Sequence, residues 1–173
     1  ETGKMGYVVA FPISQTLLNV NAFQLGAKSV NPNATTTVVF TSSWCDPAKI
    51  SEAVNNLKDQ GVDVLNQHQD CPAAGIQAAE KAGMFSVGYH VDGSKFAPEG
   101  WVAAAEWDWT KLFVELVNEV RDGSYEVGQV RQSMKDGVVK LAPFGKNVPA
   151  DVQKQVTDTQ AKVLSGELNI FAG

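Results

Sequence analysis

Residues 36–47 read TTVVFTSSWCDP. Thr37, Val38, Val39, Phe40 and Thr41 are β-branched or aromatic, which predicts a buried strand. The strand runs into a polar exit, Ser42-Ser43, and then into Trp44-Cys45-Asp46-Pro47. Asp46 can accept from the first free amides of a helix and Pro47 suits a first helical turn, so a helix is predicted to begin there. In an open parallel sheet, ligands bind just beyond the carboxyl ends of the strands, where loops and helix N-termini converge. Trp44 occupies that place with two readings open: an aromatic wall of a binding site, or a loop plug belonging to the core.

The same unit recurs on either side. Gly6-Tyr7-Val8-Val9-Ala10-Phe11 is an apolar run that stops at Pro12, and Ser14 is placed to cap a helix whose Leu17, Val20, Phe23 and Ala27 recur every three to four residues. Asn31-Pro32-Asn33 ends it. Beyond Pro47, Ile50, Ala53, Val54 and Leu57 form the stripe of a second helix that stops at Gly61. Val62-Asp63-Val64-Leu65 opens a third strand, with residues 66–70 (NQHQD) as its polar exit and Asp70 as a second helix cap before Cys71-Pro72. Ile76, Ala79 and Ala82 line a third helix ending at Gly83, and residues 84–89 read as a fourth strand. Three strand-to-helix units with short links and right-handed crossovers predict an α/β fold: a parallel sheet with helices on both faces.

After Gly93 the rhythm changes. A loop containing Pro98 leads to Trp101-Val102-Ala103-Ala104-Ala105-Glu106-Trp107, a further strand candidate, and Thr110 is placed to cap an amphipathic helix carrying Leu112, Phe113, Leu116, Val117 and Val120 up to Asp122-Gly123. Val138-Val139-Lys140-Leu141 reads as a short strand. Residues 151–164 read as a weakly apolar final helix beside Pro149.

Composition narrows the function. With 173 residues and 44% hydrophobic content the chain can build a real core, and 14 basic against 19 acidic residues, with no Lys/Arg run, give nothing that attracts nucleic acid. No apolar run reaches membrane-spanning length, and Glu1-Thr2-Gly3-Lys4 is unlike the start of a signal peptide. Walker A, GxGxxG, GxSxG and HExxH patterns are absent, and the two cysteines, Cys45 and Cys71, form neither a CxxC pair nor a zinc set. No metal or cofactor is expected.

Four segments together resemble one family: TGKMGYVVAFP at residues 2–12, FQLGAKSVNPN at 23–33, SSWCDPAKISEAVNNLKDQGVDV at 42–64 and SGELNIFAG at 165–173. Their order and spacing resemble the substrate-binding lipoproteins of the basic membrane protein family, the purine-nucleoside-receptor-like components of ABC importers. The resemblance implies a lobe of the type I periplasmic binding fold, flavodoxin-like in its sheet, and a function without chemistry: capture of a purine base or nucleoside in the cleft between two lobes, for delivery to an ABC transporter permease. It also implies an extracytoplasmic location, periplasmic or membrane-anchored. The chain looks like the C-terminal half, with 1–95 as the C-terminal lobe, 96–124 as a crossover segment belonging to the N-terminal lobe, and 125–173 as the return. The N-terminal lobe would then be a missing partner. The apolar Leu112/Phe113/Leu116/Val120 face, left without it, predicts either association with another chain or docking of that helix on the chain's own sheet.

The resemblance also assigns residues. An aromatic at the Trp44 position stacks on the base, and an acidic residue after the fourth strand makes polar contacts; Asp92 is the candidate, with His90 aligning plausibly with the same acidic position. Near Trp107 those relatives carry a lysine, and the exchange for an aromatic favours a flat neutral base over a nucleotide. Trp44 and Trp107 would sandwich the ring. His68, beside Gln67, Gln69 and Asp70, is read as a loop histidine, either solvated or in contact with the ring edge. Trp101 is assigned to packing, as are Phe11 and Pro12 at the cleft wall.

Two further functions compete: the sensor domain of a regulator with the same fold, and an enzyme using His68 with Asp70 or His90 with Asp92 as an acid–base pair. Cys45 and Cys71 follow the second and third strands. If those strands are neighbours about 5 Å apart, the thiols come within disulfide reach. Relatives more often have an aromatic and a serine at these two positions, and the paired departure predicts a disulfide under the cleft, with two buried thiols as the alternative.

Overall fold

The alternating apolar runs become five parallel strands, β1 (Lys4–Val9), β2 (Thr35–Phe40), β3 (Val64–His68), β4 (Phe85–His90) and β5 (Trp101–Trp107), in the spatial order β2-β1-β3-β4-β5. β6 (Val139–Leu141) closes the far edge antiparallel to β5. The computed structural model of the chain describes residues 2–171. Glu1, the first residue of the expected 1–95 lobe, and Ala172 and Gly173, the end of the SGELNIFAG segment, lie outside the described residues.

Helices cover both faces as the crossovers require. α1 (Ser14–Val30) lies on one, where Val20 and Phe23 pack on Tyr7, Val9 and Val38. α2 (Pro47–Asp59) and α3 (Pro72–Lys81) lie on the other, where Ala53, Val54, Leu57 and Ala79 pack on Val8, Leu65 and Met84. A second layer on that face joins Ile76 and Ala97 to Trp101, Ala104 and Ala142. Trp101 is 2% exposed and its indole donates to the Pro143 carbonyl at 3.1 Å, which makes it the packing residue expected.

Helix starts differ in detail from the sequence expectation. Asp46 caps α2, its Oδ1 accepting from the amides of Ala48 (3.2 Å) and Lys49 (3.1 Å). Asp70 does not cap α3: the chain leaves the preceding turn one residue later, so Cys71 holds the cap position without a side-chain bond. Ser14 is already helical, and the Ile13 amide before it donates to Thr16 Oγ1. Leu17 of α1 is exposed, because the buried stripe runs through Thr16 and Val20 instead. Before α4 (Thr110–Asp122), Asp108 Oδ1 accepts from the Thr110 amide, the role expected of Thr110 itself.

α4 and α5 (Ala150–Ser165) contain no buried residue. Docking of α4 on the chain's own sheet does not occur: both faces of the sheet's centre are already taken by α1, α2 and α3, and Phe113, Val114, Val117 and Val120 stand exposed. β5 stays on the sheet beside β4, so within 96–124 the chain leaves the sheet only after Trp107. No helix among the described residues is long and apolar enough to cross a membrane.

β2 and β3 are not neighbours, since β1 lies between them. Cys45 and Cys71 nevertheless form a disulfide with Cα atoms 5.1 Å apart, because both loops bend over the end of β1. A cross-link 26 residues apart in sequence stabilises by about 3 to 4 kcal/mol on chain-entropy grounds. The Cys45→Ser/Cys71→Ser protein is expected to lose that amount in urea titration. Two thiols titrating in the denatured, unreduced wild type would contradict the bridge. Gly88 has no room for a side chain, since a Cβ there would run into the Trp101 ring and Ala104. Gly88→Ala is expected to destabilise by about 1 to 3 kcal/mol through overpacking; an unchanged midpoint would show that Trp101 can move aside.

Candidate functional site

At the carboxyl ends of the strands the aromatic rings form one connected row. Phe11 meets Trp44 at 5.3 Å between ring centroids, Trp44 meets His68 at 6.1 Å, and His68 meets Tyr89 at 4.1 Å. Tyr89 then meets His90 at 3.2 Å, and His90 stacks on Trp107 at 3.5 Å with planes 30° apart. Trp109 and Phe113 continue the row onto α4, at 5.2 and 6.0 Å. The row runs in chain order and departs from the spatial order of the strands at one place, where Trp44 from the exit of the edge strand β2 comes between Phe11 after β1 and His68 of β3. It exists because parallel strands deliver all their carboxyl ends to one edge.

Two backbone departures aim these rings. Ser42 adopts φ 54°, and its amide donates to the Ala10 carbonyl at 2.9 Å, so the exit of β2 folds toward β1 and carries Trp44 over it. The Trp44 carbonyl accepts from the Asp70 amide at 2.8 Å, and the disulfide fixes the same pair of loops. Beneath them Gln69 Nε2 donates to Thr41 Oγ1 at 3.0 Å, and that hydroxyl donates to the Ser43 carbonyl at 2.9 Å. His90 adopts φ 69°, a left-handed conformation that a side chain with a Cβ rarely takes and that concentrates at functional sites. Successive strand residues normally point to opposite faces. The left-handed turn cancels that alternation and lays the His90 ring against Tyr89.

His68 is the last residue of β3 rather than part of a solvated loop, and it is 3% exposed. Asn66 and Gln67, read from sequence as exit, are strand residues as well, held because β3 pairs with β1 as far as Val9↔His68. Asn19 Nδ2 lies 3.2 Å from His68 Nδ1, and Tyr89 Oη lies 2.7 Å from His68 Nε2. Of the residues assigned from sequence, Trp44, His68, His90 and Trp107 share the row. Asp92 stands outside it, exposed, with Oδ1 accepting from the Ser94 amide at 2.8 Å. Trp44 and Trp107 do not face each other directly: His68 and Tyr89 stand between them, and one face of Trp107 is covered by His90. Asn19 and Tyr89 were not singled out from sequence. Asn19 and Asn21 flank Val20 alike in the sequence, and only the fold sets Asn19 apart by bringing it to His68.

The electrostatics keep this edge neutral. Burial lowers the pKa of both imidazoles, His90 to about 4, with the proximity of His68 lowering it further; Asp70 acts weakly against the shift at His68. Burial likewise pushes the Tyr89 phenol up, so it keeps its hydrogen. His90 Nε2 is buried with no hydrogen-bond partner among the described residues. The row therefore offers flat apolar faces, a few unspent polar atoms and no charge, which suits reversible capture of a planar neutral ring. Among the described residues no three His, Cys, Asp or Glu side chains converge as metal ligands. Because the unfolded chain binds protons near pH 6.5 and the folded one only nearer 4, stability is complete above 6.5 and falls as pH drops through that window. Urea midpoints at pH 7.5 and 5.0 are expected to show the fall, and His90→Gln to reduce it; a midpoint flat across that range would place His90 in water.

The Bmp family model, described as ABC transporter substrate-binding protein PnrA-like, matches residues 1–172. The chain is 40% identical over all of its 173 residues to a purine-binding protein of Brucella abortus, covering 49% of it. It is 39% identical over the same length to a Haloferax volcanii protein named for glucose binding in an ABC transporter, covering 44%. The chain thus spans about half the length of the curated relatives it matches. A transcriptional activator of the comK gene from Bacillus halodurans superposes with a TM-score of 0.86 at 27% identity, over 97% of this chain and 58% of that one. An ABC transporter solute-binding protein from Conexibacter woesei shares the fold alone, with a TM-score of 0.78 at 22% identity, over 97% of this chain and 57% of that one. The chain belongs to the Bmp family of PnrA-like ABC transporter substrate-binding proteins, a family of binding proteins rather than enzymes.

Proposed function

We propose that this chain supplies one lobe of a two-lobed solute-binding protein that captures a purine base or nucleoside and presents it to an ABC transporter permease on the extracytoplasmic side. The observation that carries the reading is the aromatic row at the carboxyl edge, in which Trp44 stands exposed between Phe11 and His68. Trp44 is the stacking face; His68, His90 and Trp107 line the ring's edge and far side, and Asp92 joins them on closure of the lobes. The purine assignment draws support from the Brucella relative, and the extracytoplasmic one from the Cys45–Cys71 bridge, since disulfides persist in oxidising compartments.

In this reading residues 1–95 and 125–173 belong to the C-terminal lobe. The segment 96–124 crosses to the N-terminal lobe, with β5 as the part that remains on the sheet. The exposed apolar face of α4 is the surface the other lobe covers. Closure around the ligand holds because the second lobe makes its contacts only in the closed state. A second reading, a ligand-sensing domain of a regulator, is favoured by the likeness to the comK activator, and it keeps the same cleft.

The two-lobed protein is expected to bind adenine in calorimetry. Stacking contributes about 1 to 3 kcal/mol per base, so Trp44→Ala should weaken binding by roughly 5- to 150-fold. Unchanged affinity in Trp44→Ala would remove the stacking role, and binding of glucose in place of any purine would move the ligand to the sugar class named for the Haloferax relative.

A further inference from the structure

Asn19, His68 and Tyr89 form a linear hydrogen-bonded set that runs from α1 across the end of β3 to the end of β4. A neutral imidazole has one donor and one acceptor nitrogen. Burial keeps His68 neutral. The Asn19 amide donates to Nδ1 at 3.2 Å and so uses the acceptor. Nε2 must then carry the hydrogen and donate it to Tyr89 Oη at 2.7 Å. Tyr89 is 8% exposed, and among the described residues its oxygen makes no other hydrogen bond. Its own hydrogen is therefore unspent, in a row of rings that carries no charge. An unspent buried donor costs free energy until an acceptor reaches it.

We propose that Asn19 is a positioning residue that fixes His68 as the Nε2–H tautomer and thereby makes the Tyr89 hydroxyl a donor to a ring nitrogen or carbonyl of the ligand. The proposal rests on the carboxyl edge being the binding site. It adds a direction to that site's hydrogen bonding: a planar ligand must present an acceptor toward β4, and a ring with only C–H there is rejected. Neither Asn19 nor the main chain around it touches the ligand in this arrangement; its effect passes through His68.

The chain holds only two histidines, so nitrogen-15 NMR of histidine-labelled protein gives two rings, told apart with His90→Gln. His68 is expected to show a protonated Nε2 and a bare Nδ1 at pH 7.5, and Asn19→Leu to convert it to a mixture. A protonated Nδ1 in the wild type, or a pattern indifferent to Asn19→Leu, overturns the proposal without reference to any ligand. In the two-lobed protein, adenine is compared with 1-, 3- and 7-deazaadenine. At least one analogue is expected to bind tenfold or more weakly, and Tyr89→Phe to bind adenine tenfold more weakly while no longer distinguishing that analogue. Discrimination that survives in Tyr89→Phe removes Tyr89 as the donor. Absence of adenine binding to the wild type instead overturns the proposed function and the ligand half of this inference, leaving the tautomer to the NMR.

Discussion

Right-handed crossovers in a parallel sheet decide which side of the strands each helix occupies. Here β2 and β3 lie on opposite sides of β1, so the connection from β1 to β2 and that from β2 to β3 must pass over opposite faces. α1 takes one face, and α2 with α3 the other. The loops that leave β1 and β3 therefore diverge and open a crevice at their carboxyl ends, the switch point where sheets of this order bind ligands. Phe11, Trp44 and His68 meet at that crevice.

The crevice is wide by topology and narrowed by local chemistry. Ser42 turns the β2 exit inward, and the disulfide together with the Asp70–Trp44 backbone bond fixes it there. At the other end the left-handed His90 crowds its ring between Tyr89 and Trp107. Each departure works against local backbone preference, and the core beneath is what holds it. Leu57, Val54 and Ile50 of α2 and Ile76 of α3 are essentially buried, so the strand ends cannot relax away from each other. The strand ends are thus held from beneath, whereas α4 contains no buried residue.

The sheet and most helices were legible because the apolar periodicity and the Asp46-Pro47 start are local properties. The edge was less so. Asn66 to His68 were read as exit because they are polar, yet pairing of β3 with β1 draws them into the strand, a demand set by a partner about sixty residues away in the chain. The disulfide forms as the sequence predicts but without the strand adjacency that the prediction assumes: β1 separates β2 from β3, and the bend of both loops over β1 joins the cysteines. Trp44 could be placed from strand and cap signals alone, whereas the Asn19–His68–Tyr89 set joins three elements, and Asn19 is one of several polar residues of α1 with nothing local to mark it out. The left-handed His90 has no sequence signature either, since nothing in Gly88-Tyr89-His90 requires it.

The account stands on the carboxyl edge being half of a cleft for a planar ring. A crystal structure of the two-lobed protein grown with adenine tests this most directly. The ring is expected to lie parallel to the Trp44 indole at about 3.5 Å, with its edge toward Tyr89 and His90. A ring bound elsewhere, or a closed cleft in which Trp44 packs only against protein, would contradict it.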